Sequence, residues 1–180
     1  MSVQEFDAFL AKRVKEVEKE KKVDWINIHD EWVHQVDDFF EMVRKFLQKY
    51  VDDGKVVIRD EELTICEEHL GIYKTKKLYV QVVGEEVVFT PIGRLIIGGY
   101  GRIDMEGRSG KVKFILIEED VEGFKTSSRI SVGGIKPGEG IAGKKRHAIT
   151  WKIVTPPPVI QFVKITPDSF YEVLMGVIGG

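Results

Sequence analysis

The chain lacks the residues that build cross-linked or metal-held frameworks. Its 180 residues include one cysteine, Cys66, which excludes an internal disulfide and a multi-cysteine metal site. No apolar run approaches the ~18 residues that a membrane-spanning helix needs. The first residues mix charged and apolar side chains and contain no hydrophobic signal-peptide core. The sequence therefore predicts a single-domain, cytoplasmic protein without a membrane-spanning segment.

A strong charge of one sign is also missing. The 27 basic and 29 acidic side chains give a net charge of −2, and 43% of the residues are hydrophobic. That apolar fraction is too high for a disordered chain, and the charge is too balanced for a solvated tail. We expect a folded domain with a core of useful size.

Two helices are predicted within residues 1–53. A narrow apolar stripe at steps of three and four residues predicts the first, at Val3, Phe6, Leu10, Val14 and Val17. A wider, aromatic-rich stripe from Trp25 to Val51 predicts the second, with Asp24 as N-cap and Gly54 just after its end. Joined near residue 23, the two helices are expected to form an antiparallel hairpin or one long broken helix.

From residue 54 the apolar period changes to two, which is typical of strands. Residues 54–120 and 149–165 are predicted to form a mainly antiparallel sheet, covered on both sides or strongly curled and barrel-like. The predicted strands are Val56–Arg59, Leu63–Cys66, Lys77–Val83, Val87–Thr90, Arg94–Gly98, Tyr100–Met105, Lys111–Glu118, Ile149–Val154 and Val159–Ile165. Thr166 and Pro167 predict the start of a C-terminal helix over residues 166–178. Helices, then strands, then one helix indicate an α+β fold.

A long glycine-rich segment, residues 121–148, interrupts the strand pattern. Residues 121–152 contain seven basic side chains and only two acidic ones. Long loops are often functional. The charged groups of Lys and Arg, together with backbone N–H groups that have no partner, can bind phosphate. The candidate anion-binding residues are Arg129, Lys144, Lys145, Arg146 and His147. The alternative is a solvated linker. The glycines of 138–143 match a nucleotide-binding pattern formally, but no strand precedes them and no helix follows.

No catalytic or metal-binding pattern is present. His29 and His34 lie five residues apart, so a helix turns them away from each other, and two ligands are too few for a metal. Cys66 has only acidic neighbours and is expected to be partly buried and structural. We therefore predict no metal, no cofactor and, on balance, no enzyme. An active site assembled from distant residues, such as Asp104, Arg102, His69 and Glu118, is not excluded.

The leading functional hypothesis concerns the second helix. Its aromatic stripe is wider than the first helix can cover, which favours pairing with a partner, most simply a second copy in a homodimer. The candidate interface residues are Trp25, Trp32, Phe39 and Phe46. Two alternatives remain open: the sheet of the same chain covers this stripe, or the protein binds an anion or nucleic acid through residues 125–147.

Overall fold

A computed structural model describes residues 3–20, 24–94, 96, 99–120 and 148–179. They form three helices and seven strands in an α+β arrangement. The helices are α1 (Val3–Glu20), α2 (Trp25–Asp52) and α3 (Pro167–Ile178). The strands are β1 (Val56–Glu67), β2 (Gly71–Val82), β3 (Glu85–Gly93), β4 (Gly101–Gly107), β5 (Gly110–Glu118), β6 (Ile149–Val154) and β7 (Phe162–Lys164). Of the described helices, none is both long and apolar enough to cross a membrane.

The sheet is an antiparallel meander in which each strand pairs with the next along the chain, from β1 to β7. It is open, so the expectation of a barrel is not met. The two segments predicted on either side of residues 60–62 form one strand, β1. Arg94 and Ile96 lie outside the strands, contrary to the prediction of a strand at 94–98, and the other three positions lie outside the described residues.

The core lies between one face of the sheet and the helices α2 and α3. The wide stripe of α2 is buried there, at Ile28, Trp32, Val36, Phe39, Phe40, Val43 and Leu47. Phe39 is 1% exposed, and its ring lies 5.0 Å from those of both Phe114 and Trp151. The sheet of the same chain therefore covers the aromatic stripe, which is one of the two alternatives that the sequence left open.

Both predicted helix starts are confirmed. The Asp24 side chain accepts a hydrogen bond from the backbone N–H of Asn27 at the start of α2. At α3 the Thr166 hydroxyl accepts from the N–H of Ser169, and Pro167 occupies the first turn. Phe170 of α3 is fully buried and stacks on Phe89 of the sheet, which fixes the C-terminal helix on the same face as α2.

Candidate functional site

Helix α1 presents an apolar stripe that the rest of the described chain does not cover. Every side chain from Val3 to Lys15 is exposed. The stripe consists of Val3, Phe6, Phe9, Leu10 and Val14, whose exposed fractions are 79%, 50%, 55%, 43% and 56%. We call these five residues the α1 stripe. A contiguous apolar surface of this kind is characteristic of an interaction site.

The charges of α1 are arranged in blocks along the helix. Glu5 and Asp7 precede Leu10, whereas Lys12, Arg13 and Lys15 follow it, and residues 16–20 add Glu16, Glu18, Lys19 and Glu20. Arg13 also contacts Glu16, with 3.2 Å between the guanidinium and carboxylate. In an antiparallel pair of α1 helices, Glu5 and Asp7 of one copy would therefore lie beside the basic side chains of residues 12–15 of the other copy.

The second candidate surface is the sheet face that points away from the helices. Phe89, Phe114 and Trp151 pack on Phe39 of α2, so their strand neighbours point to the other side. On that side Arg102 of β4 and Lys152 of β6 flank Ile115 of β5. The next row across the strands consists of Asp104, Lys113, Val154 and Phe162. We call this surface the open face, since no described helix covers it.

A buried ion pair organises the open face. Asp104 is 4% exposed, and its two carboxylate oxygens accept hydrogen bonds from Nε and Nη2 of Arg102, both at 2.7 Å. This two-point geometry fixes the plane of the guanidinium. Lys111 lies 3.9 Å from the same carboxylate and 2.9 Å from Glu106. The hydrogen bond to Glu106 raises the pKa of the Lys111 ammonium.

The open face contains a cavity of about 390 Å³ beside this ion pair. Its lining combines two cationic side chains with apolar ones: Arg102 and Lys113, with Ile96, Ile115, Val154, Ile160 and Phe162. Lys113 is exposed and Ile115 is half-buried. Basic groups next to an apolar floor are the features that bind and orient a small ligand.

A third cluster of polar side chains is buried near the N-terminal end of α2. The Trp32 indole N–H donates to the Tyr73 hydroxyl at 2.8 Å, and that hydroxyl donates to Glu67. The backbone N–H of Arg94 donates to the same carboxylate at 3.0 Å. Burial, and then the hydrogen bond to Glu67, raise the pKa of Tyr73 far above its usual range.

The Arg94 side chain extends this cluster toward β5. Its guanidinium lies 5.1 Å from the ring of Tyr100, whose hydroxyl donates to Glu118 at 3.0 Å. Burial lowers the pKa of Arg94 and raises that of Tyr100. Glu67, Arg94, Tyr100 and Glu118 all have partners, so this network fits a structural role that satisfies buried polar groups.

The chain matches no family model. A search of curated proteins and a search of solved structures also found no match.

The structure corrects the predicted interface on α2. Trp32 and Phe39 are buried inside the single chain, so neither can contact a partner. Phe46 is partly buried against the core and lies 5.3 Å from Phe170, and Trp25 stacks on His69 at 5.0 Å. The wide stripe of α2 thus faces the core, whereas the stripe of α1 is exposed.

The remaining predicted site residues have separate outcomes. Arg129, Lys144, Lys145, Arg146 and His147 lie outside the described residues. His34 pairs with Asp38 at 3.5 Å, and His29 with Asp30 at 2.8 Å. The described part of the chain contains no group of three or more potential metal ligands. Cys66 is exposed, contrary to the expectation that it is partly buried.

Sequence reasoning did not identify the residues of the open-face cavity as a group. The alternation of Lys111 and Lys113 with Val112 and Phe114 indicates which side chains point outward. It does not show that β4 and β6 flank β5, because strand order has no local sequence signal. Phe9 was also missed, since it lies at the edge of the three-and-four pattern of α1.

Proposed function

We propose that this protein is an interaction protein that self-associates through the α1 stripe. The exposure of Val3, Phe6, Phe9, Leu10 and Val14 on one 18-residue helix carries the proposal. Leaving these side chains in water is unfavourable, and a two-fold pair buries the same stripe on both copies. The acidic and basic blocks of α1 favour a second copy in the antiparallel orientation as the partner.

The energetics predict a reversible dimer. Full burial of one large apolar side chain contributes about 1.5–3 kcal/mol, and these side chains are already about half covered. Ten of them in a pair would contribute on the order of 10 kcal/mol, against an association cost of about 4–15 kcal/mol. A dissociation constant in the micromolar range or weaker is therefore expected.

Sedimentation velocity of the full chain, from about 1 µM to about 1 mM, tests the proposal. We expect a concentration-dependent shift from monomer to dimer. Leu10→Glu should leave a monomer throughout this range, because it places two carboxylates in the centre of the pair. Ile72→Glu is the matched control, since Ile72 is 76% exposed on β2. A monomeric parent, or loss of the dimer in the control as well, would contradict the proposal.

A second candidate function is anion or nucleic-acid binding through residues 125–147. The supporting observation is the position of this segment, which connects β5, the strand that carries the exposed Lys113, to β6. Fluorescence anisotropy with a labelled oligonucleotide should show binding that weakens steeply with salt. Replacing Lys144, Lys145 and Arg146 by glutamate should abolish it. Equal binding by parent and variant would reject this function.

A further inference from the structure

We propose that the open-face cavity binds an organic anion that has an apolar body. The anionic group would contact Lys113 and Arg102, and the body would lie against Ile115, Val154 and Phe162. The cavity volume of about 390 Å³ falls within the range of small-molecule sites, roughly 300–1,000 Å³. This inference does not depend on self-association through α1.

Lys113 supplies the charge that the fold leaves unneutralised. Its cross-strand neighbours are Asp104 on one side and Val154 on the other. Both oxygens of Asp104 accept hydrogen bonds from Arg102, so this cross-strand carboxylate is already paired. Among the described residues, none forms an ion pair with the Lys113 ammonium.

Arg102 supplies a positioned donor. Asp104 binds its Nε and Nη2, and of the described side chains none accepts from Nη1. The guanidinium lines the cavity, and its side chain is 30% exposed. Because the buried carboxylate holds its plane, the free N–H groups are oriented before a ligand arrives, which reduces the ordering cost of binding.

The charge around the cavity favours an anion over a cation. On β4–β7 the strand register places five basic side chains on the open face, Arg102, Lys111, Lys113, Lys152 and Lys164. Of these, Lys152 is buried and donates to the backbone oxygen of Glu119. The acidic ones on the same rows are Asp104 and Glu106. A surplus of positive charge over a low-dielectric surface raises the local concentration of anions.

The apolar lining restricts the class of anion. Ile96, Ile160 and Phe162 surround the half-buried Ile115, so a small hydrophilic anion such as inorganic phosphate would leave this surface wet. A carboxylate or phosphate with a hydrocarbon or aromatic body would use both halves of the cavity. The apolar contact then adds to an ionic contact that is weak by itself in water.

Isothermal titration of the full chain with decanoate and with decyl phosphate tests the proposal. We expect at least one to bind at 1:1 stoichiometry, and the tighter of the two identifies the preferred headgroup. Decanamide, which lacks the charge, should bind at least about tenfold more weakly. Equal binding of decanamide, or no binding of either anion, would overturn the proposal.

Three variants assign the binding to this cavity. Lys113→Gln and Phe162→Ala should each weaken it by about fivefold or more, through the charge and the apolar wall respectively. Lys45→Gln is the matched control, since Lys45 is exposed on α2. Unchanged affinity in both cavity variants would place the ligand elsewhere, including the α1 stripe, and reject the site. Thermal unfolding of Lys113→Gln should match the parent, because the side chain is exposed.

Discussion

Replacing Phe39 by alanine distinguishes a core stripe on α2 from an interface stripe. Phe39 is 1% exposed, and four aromatic rings lie within 6.1 Å of its own. Truncating a buried phenylalanine costs about 3–5 kcal/mol, since transfer energy is lost and a cavity remains. The four ring contacts place the expected loss in the upper half of that range. This is a large fraction of the ~5–15 kcal/mol that stabilises a typical domain.

Urea unfolding followed by tryptophan fluorescence measures this loss, because the Trp151 ring lies 5.0 Å from Phe39. The measurement should be made at a low and a high protein concentration. A core residue lowers the unfolding free energy equally at both, whereas an interface residue lowers it mainly where the dimer forms. A loss below about 1.5 kcal/mol, or one that appears only at high concentration, would refute the assignment of Phe39 to the core.

Two further predictions concern the contacts of Trp32. Gly101→Ala should lower the free energy of unfolding in urea by about 1–3 kcal/mol, because the added Cβ would lie 2.2 Å from the Trp32 ring. Gly110→Ala is the control, since a Cβ at that position has no atom within 4 Å. The raised pKa of Tyr73 means that the folded state holds the phenolic proton more tightly than the unfolded state. The contribution of Tyr73 to the free energy of unfolding is therefore complete below about pH 10. Above that pH the contribution declines, by up to about 1.4 kcal/mol per pH unit. The variant Tyr73→Phe removes this phenol and its hydrogen bond to Glu67. We expect its free energy of unfolding to decline less steeply than that of the parent between about pH 9 and about pH 11. An unchanged slope would contradict the role of Tyr73.

The helices and the fold class were predictable because their signals are local. Asp24 and Thr166 cap the first turns of α2 and α3 through bonds to residues three positions away. Gly54, predicted to lie just after the end of α2, has a φ of +71°, in the left-handed backbone region that favours glycine. An apolar period of two located the seven strands, although it also predicted a strand at 94–98 and divided β1 into two segments. Each of these signals lies within a few residues of the structure that it specifies.

The surfaces were harder to predict because they depend on which elements meet. Periodicity predicted a narrow stripe on α1, without Phe9, and a wide stripe on α2, but width alone does not show what covers each helix. Phe39 of α2 packs on Phe89, Phe114 and Trp151, which lie 50 or more positions later. The ion pair of Arg102 with Asp104 is close in sequence, but its role beside Lys113 depends on strand order. Long-range pairing thus decides which apolar residues remain exposed.

The α1 stripe and the open-face cavity share no residue, which makes their independence testable. The stripe lies within Val3–Val14, and the cavity is lined by β4, β5 and β6 with Ile96, Ile160 and Phe162. If the two surfaces act separately, Leu10→Glu should leave the affinity for an organic anion unchanged, and Lys113→Gln should leave the dimer intact. If the two surfaces are coupled, decanoate binding and dimerisation affect each other equally. Decanoate would then change the dimerisation constant by the same factor by which dimerisation changes the affinity for decanoate. Titrating decanoate in sedimentation runs measures that factor, and a value different from one would mean that α1 and the sheet respond to each other.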